Sequence, residues 1–395
     1  LCRIEVGRHR PPVLCEVVGF RQQRLLVMPY RQARGIAPGQ RVTELASRLT
    51  VPVGPQLLGR VIDGLGRPLD GGPPLTRAPQ ATLDGTPPSA LTRRRATEAM
   101  ATGIRSLDAM VTTARGQRLG IFAGSGVGKS VLLGMLARQA QVQVNVLALI
   151  GERGREVREF IERDLGPEGL ARSVVVVVTS DQSAVMRTKG AETAMTVAEH
   201  FRDHDTEVLF MMDSATRYAM ALREIGLAAG EPPTTKGYPP SVFAALPRLC
   251  ERAGWSDVNA MTAFFTVLIE GDDIQDPVGD AMRSILDGHV LLSRDLARLN
   301  HYPAVDVLGS ISRLRNDIVD ETVRDAGARL LRWLKSLEEN RDLISIGAYV
   351  AGSDPVLDQA LAKEDEIRRF LVQGIGEHAP FEQTIAQLAA LTGAS

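Results

Sequence analysis

Cysteine is nearly absent: Cys2, Cys15 and Cys250 are the only three in 395 residues. They are too few and too scattered for a disulfide framework or a zinc site, so each reads as a packing residue in a reducing compartment. Aromatic residues make up only 4%, which leaves little to stack on nucleobases. A net charge of −1 and a pI near 6.7 supply no field for gripping a phosphate backbone. Nucleic acid is therefore not expected as a partner. No stretch approaches the roughly 20 apolar residues needed to cross a bilayer, and no signal peptide opens the chain. The chain begins with Leu on residues that already read like a strand, and an N-terminal segment is expected to precede it.

What is present is ordinary globular composition, 44% apolar and 24% charged. Residues 1–75 carry short apolar runs such as Val13 to Val18 and Leu25 to Met28 between turn signals, the pattern of a small β-barrel or its remnant. Residues 76–97 are expected to be a linker, since Pro87-Pro88 and Arg93-Arg94-Arg95 interrupt any periodicity. Over 98–315, apolar runs alternate with helical patterns, the signature of a parallel sheet flanked by helices. The runs are Leu119–Ala123, Val146–Ile150, Val174–Val178, Val208–Met212 and Phe264–Ile269, each apolar enough to be buried on both faces. Beyond Asp317 the period becomes helical, with a second helix expected from the Asp354-Pro355 cap to about Gln373, so 316–395 reads as a helical domain.

Gly124-Ser125-Gly126-Val127-Gly128-Lys129-Ser130 follows the first of these runs and opens a helix. Glycines let the backbone N–H groups turn inward on phosphate oxygens, Lys129 reaches the β- and γ-phosphates, and the Ser130 hydroxyl is a Mg²⁺ ligand. This reads as a P-loop rather than a bland glycine-rich turn, although the spacing puts Ala123 where the first glycine would stand. Asp213 ends the Val208–Met212 run, where it either holds Mg²⁺ or merely caps the next helix. Glu152, in Gly151-Glu152-Arg153-Gly154-Arg155-Glu156, either orients the attacking water or belongs to a salt-bridged loop.

These runs, with 212–219, Gly230 to Ser241, Glu270-Gly271-Asp272-Asp273, Ile285 to His289, Tyr302 to Asp306 and Ser310 to Arg313, resemble the type III protein export ATPases of the rotary ATP synthase α/β superfamily. Asn340 to Tyr349 is most similar to the flagellar branch, with the virulence injectisome branch as the alternative. The resemblance implies a RecA-like parallel-sheet motor domain with a truncated N-terminal β-barrel and a C-terminal helical domain. It implies Glu152 as catalytic carboxylate, Lys129 and Ser130 on phosphate and Mg²⁺, and Asp213 as the second metal acid. Tyr302 matches the aromatic that stacks on adenine, unless it is core. Arg153 matches an arginine beside the phosphates, unless it forms a surface ion pair. Arg313 matches an arginine that reaches into a neighbour's site. One chain carrying both Glu152 and Arg313 can supply both halves of every interface, so a homo-oligomeric ring is expected, six copies by the resemblance.

The further partners implied are a stator-like regulator, a central stalk protein, export substrates and their chaperones, and a membrane export gate, with the chain in the cytoplasm, peripheral to the inner membrane. The Glu231–Pro240 loop is a candidate contact for the stalk or a substrate, or a rigid turn with no partner. Two other readings are a nucleotide-controlled assembly platform and a ring-shaped RNA translocase; the second needs a basic, aromatic N-terminal domain that residues 1–75 lack.

Overall fold

A computed structural model describes residues 1–7, 10–45, 48–269 and 276–393, so Glu270-Gly271-Asp272-Asp273 lies outside the described residues. The centre is a sheet whose strands run, from one edge to the other, Val305–Ser312, Gly288–Leu292, Arg118–Ala123, Ala260–Leu268, Val208–Asp213, Val144–Ile150, Ser173–Val178 and Val61–Ile62. Along this path all neighbours are parallel except the Val305–Ser312 edge strand, which is antiparallel, and the short strand Gly254–Trp255 also joins Ala260–Leu268 in antiparallel fashion. The apolar runs of the sequence become these strands for a simple reason. Alternate residues feed opposite cores: Val146, Ala148 and Ile150 enter one, Leu147 and Leu149 the other.

Helix Ala184–Asp203 covers one face, started by Ser183, whose hydroxyl accepts from Met186 N at 3.2 Å. Helix Lys129–Gln139 covers the other with Leu132, Leu133 and Leu136. The C-terminal helices Glu321–Glu339, Pro355–Leu371 and Phe381–Thr392 pack on one another and share that second core through Leu330, Trp333, Ile367, Phe370 and Leu388. Among the described residues they form no separate hydrophobic cluster, so the helical end of the chain is continuous with the face that carries the P-loop helix. As its sequence implies, Asp354 caps the second of them, accepting from Val356 N at 2.8 Å and Leu357 N at 3.3 Å. The helix stops at Leu371 because Val372 turns extended.

At the N-terminus, Cys2–Ile4, Val13–Arg21, Arg24–Pro29 and Val42–Glu44 form an antiparallel four-stranded sheet, open rather than closed into a barrel among the described residues. It is fastened to helix Ala184–Asp203 by Lys189 Nζ on Glu16 at 2.9 Å and by Ser183 Oγ donating to Tyr30 O at 2.9 Å. All three cysteines are buried and unpaired. Two short strands lie where the sequence has no periodicity: Val61–Ile62 adds to the main sheet edge, and Gln80–Thr82 pairs with Thr50–Pro52.

Candidate functional site

Register decides what meets at the carboxyl end of the sheet. Ala123 lies beside Leu268, Met212 beside Phe265, and Leu149 beside Asp213. The chain leaving Arg118–Ala123 therefore turns into its helix two strands from Asp213 and three from Glu152, and one cleft gathers all of them. It holds about 470 Å³ and is lined by Gly124, Lys129, Ser130, Glu152, Asp213 and Arg217 among others.

The loop's left-handed turns fall at Gly126, φ 78°, and Gly128, φ 92°. Ala123, the sequence's departure from the usual spacing, is the last residue of the strand and fully buried, so no glycine is required there. Gly128 caps the helix with no side chain on the first-turn N–H groups. Those unpaired donors and the positive end of the helix face the cleft, the arrangement that binds phosphate.

Lys129 Nζ lies 2.5 Å from Asp213 Oδ1 and 3.6 Å from Glu152 Oε1. Burial opposes its charge, but the two carboxylates outweigh that and hold its pKa above the ordinary value. Asp213, 5% exposed, also accepts from Thr266 Oγ1 at 2.7 Å. Glu152 is held above the usual carboxylate range, at about 7, by burial first and then by the Asp213 charge, with Lys129 opposing. The neighbouring Glu156 is shifted down: its burial is outweighed by its hydrogen bond with Glu152 and by Arg153. The proton of the pair thus rests on Glu152, whose Oε1 has no hydrogen bond among the described residues.

Other expected residues fall as follows. The Tyr302 ring lies against the loop: its Cε1 is 3.3 Å from where a Cβ on Gly128 would stand, and the residue is 37% exposed. Arg153 lines the cleft but is exposed and paired with Glu156 at 2.8 Å. Arg313 is outside the cleft. It is exposed, donates to Arg283 O at 3.1 Å, and its N–H bonds Asp287 O, next to Arg118 at the opposite end of the P-loop strand. Six residues of strand put it roughly 20 Å from Gly124. Thr235 of the proline-rich loop lines the same recess as Arg313.

Sequence reasoning gave no role to Thr266, Arg217 or Glu156. Thr266 had a signal, a hydroxyl in an otherwise apolar run. Arg217, whose Nε is 4.0 Å from Glu152 Oε1, had none, because its aim depends on the Ser214 cap that starts its helix.

The nucleotide-binding domain of the ATP synthase alpha/beta family matches residues 103–312, and the T3SS EscN ATPase C-terminal domain matches 319–390. The chain is 52% identical to the flagellum-specific ATP synthase of Bacillus subtilis strain 168 over 395 residues, all of this chain and 90% of that protein. It is 50% identical to the type 3 secretion system ATPase of Xanthomonas euvesicatoria, over 95% of this chain and 85% of that one. Among solved structures it is similar to the assembled ATPase EscN of enteropathogenic E. coli, at 41% identity, 99% and 94% coverage and a TM-score of 0.94. The same enzyme in complex with its central stalk EscO gives a TM-score of 0.91.

Proposed function

The chain belongs to the ATP synthase alpha/beta family and is an ATP hydrolase, and from that premise we propose that it works as a homo-oligomeric ring, six copies by its resemblance, powering or regulating type III protein export. The observation that carries the reading is the convergence of Lys129, Asp213 and Glu152 in one cleft under an uncapped helix N-terminus, with Arg313 a strand's length away. Relatives named for the flagellum and for secretion stand at 52% and 50% identity, so the proposal is the activity the two branches share.

ATP binds with its phosphates on the Gly124–Ser130 loop. Lys129 leaves Asp213 for the β- and γ-oxygens, which frees the carboxylate. Magnesium fits the oxygens then available: the Ser130 hydroxyl and Asp213 would hold it, with phosphate and water completing the shell, since among the described residues no cluster of three acidic, His or Cys ligands could enclose a metal alone. When bound, it supplies neutralisation of charge on the phosphates. Glu152, deprotonated, orients the water for in-line attack and accepts its proton. Tyr302 covers the adenine side, and Arg153 is available to the phosphates once its pairing with Glu156 opens. Arg313 of the adjacent copy meets the charge that develops on the transferring phosphoryl group, a contribution of about 10³–10⁵ in rate for such arginines. The assembled EscN and its complex with the central stalk EscO support the same arrangement here, with export substrates, chaperones, a stator-like regulator and the export gate as the other partners.

The test is Glu152→Gln. This variant is expected to assemble and to bind ATP while turnover falls at least about a hundredfold; turnover within threefold of the parent would remove Glu152 from the reaction. Whether cells carrying it still export protein separates an ATP-driven motor from an assembly platform.

A further inference from the structure

One short segment, residues 293–302, touches the phosphate loop at both ends. Its last residue is Tyr302, already seen against Gly128. Near its start is Arg294, whose Nη2 is 3.0 Å from where a Cβ on Gly124 would stand. Register brings them together: Leu292 pairs with Ala123, so the chains leaving the two strands run side by side. Ser293 N donates to Ala304 O at 2.9 Å, and its hydroxyl accepts from Leu296 N at 3.4 Å, which fixes the backbone from which Arg294 springs.

Two facts bear on this contact. Gly124 does not have a positive φ, so backbone freedom does not explain its glycine, and a methyl there would meet Nη2 at the far end of the exposed Arg294 side chain. In addition, Arg294 has no side-chain hydrogen bond or ion pair among the described residues, although Asp295 beside it pairs with Arg298 at 3.1 Å. A guanidinium with five donors and no acceptor therefore stands against a loop built to hold an anion.

We propose that Arg294 is a positioning residue of the phosphate loop: it stands beside the first turn on the side away from Asp213, and adds a second positive charge that favours the polyphosphate of the bound nucleotide. This rests on the ATP-site reading above. The contribution is to binding, equally before and during reaction, so it should be read in KM rather than kcat.

The experiment compares Arg294→Ala, Arg294→Lys, Gly124→Ala and the double variant Gly124→Ala/Arg294→Ala, with Lys129→Ala as reference, by steady-state hydrolysis and by binding of a fluorescent ATP analogue. Arg294→Ala is expected to raise KM about five- to tenfold with kcat within about twofold. Arg294→Lys should recover part of the loss. Gly124→Ala should weaken binding in the parent and cost less once the guanidinium its methyl would meet is gone. A KM within twofold for Arg294→Ala, a loss confined to kcat, or strict additivity of the two substitutions would overturn the proposal. If Lys129→Ala still binds the analogue as the parent does, the ATP-site reading itself fails; if Lys129→Ala loses binding while Arg294→Ala does not, only the role of Arg294 fails.

Discussion

The two ends of the Arg118–Ala123 strand treat charge in opposite ways. At its start, Arg118 donates to Asp287 through N, Nε and Nη2 at 3.0, 3.1 and 3.1 Å. Glu251 joins Arg118 and also takes Arg93 at 3.1 Å, and Gln117 reaches Ser312 Oγ at 3.0 Å. Most donors there have an acceptor, Arg93 Nε being an exception among the described residues. At the strand's finish, among the described residues, no side chain caps the loop N–H groups and Arg294 has no side-chain partner, while Lys129 holds two carboxylates that it must exchange for phosphate. A closed network stabilises a fold; an open one, with a helix N-terminus and a lysine that can exchange its carboxylates for phosphate, binds an anion. Arg313 is a further exception at the closed end, since among the described residues its guanidinium has only a backbone carbonyl as acceptor, and a charge left open there is available to another copy of the chain.

The sharpest way to break this contrast is to neutralise one cation or carboxylate at each end. Lys129→Ala should reduce kcat/KM at least about a thousandfold. Glu251→Gln, at the closed end, should leave kcat/KM within about threefold and show itself only as a lower Tm. Equal losses in hydrolysis from both would mean that the two ends do not differ in function.

Next in size is Arg313 itself. Arg313→Ala should keep ATP binding and cut turnover about a hundredfold or more. Mixing it with Glu152→Gln sharpens the point. In a head-to-tail ring, an interface that takes its cleft from the Arg313 variant and its arginine from the Glu152 variant has both groups intact. Co-assembled mixtures should therefore regain activity that neither variant has alone. Absence of any recovery in rings shown to be mixed would return Arg313 to a structural role.

A third, smaller effect is the pH dependence of the open end. Burial and Asp213 raise Glu152 to about 7, and a protonated carboxyl cannot accept the proton of water. Because kcat/KM reports the free enzyme, it should rise with pH, about tenfold per unit below a midpoint near 7, and level off above it. A flat profile from pH 5.5 to 8.5 would show that proton acceptance by Glu152 does not limit the reaction.

How much of this could be read from the chain alone follows from the same contrast. The P-loop, Glu152 and Asp213 were legible because each is a local pattern at the end of an apolar run. The five long strands were legible because burial on both faces removes polar residues from them. Arg217 and Arg294 were not, since each reaches the site from a helix start whose neighbour is set by register, and register between parallel strands leaves no mark in a single sequence; Thr266 showed only as a hydroxyl in an apolar run, with nothing to say which carboxylate it meets. Val61–Ile62 and Gln80–Thr82 are too short to show a period. The open N-terminal sheet was legible as strands but not in its closure, which depends on pairings between residues far apart in sequence.

The smallest expected effect lies away from both ends, at the helix whose start the sequence specified most plainly. Asp354 binds two first-turn N–H groups and precedes Pro355 at the first helical position. Asp354→Ala removes both bonds but leaves the proline to pre-set the turn, so the cost should be about 1 kcal/mol, read as a fall in Tm of about 2 °C or less. Because this helix shares the core of the P-loop helix, fraying its first turn tests how far the open end depends on that shared packing. Three of the four buried residues that join them, Ile367, Phe370 and Leu371, lie near its far end, three turns from the cap; the fourth, Ala360, is nearer the start, and half-buried Val356 in the first turn packs against the same core. kcat and KM should accordingly stay within about twofold, and a larger change would mean that the C-terminal helices act on the phosphate loop through their first turn rather than their last.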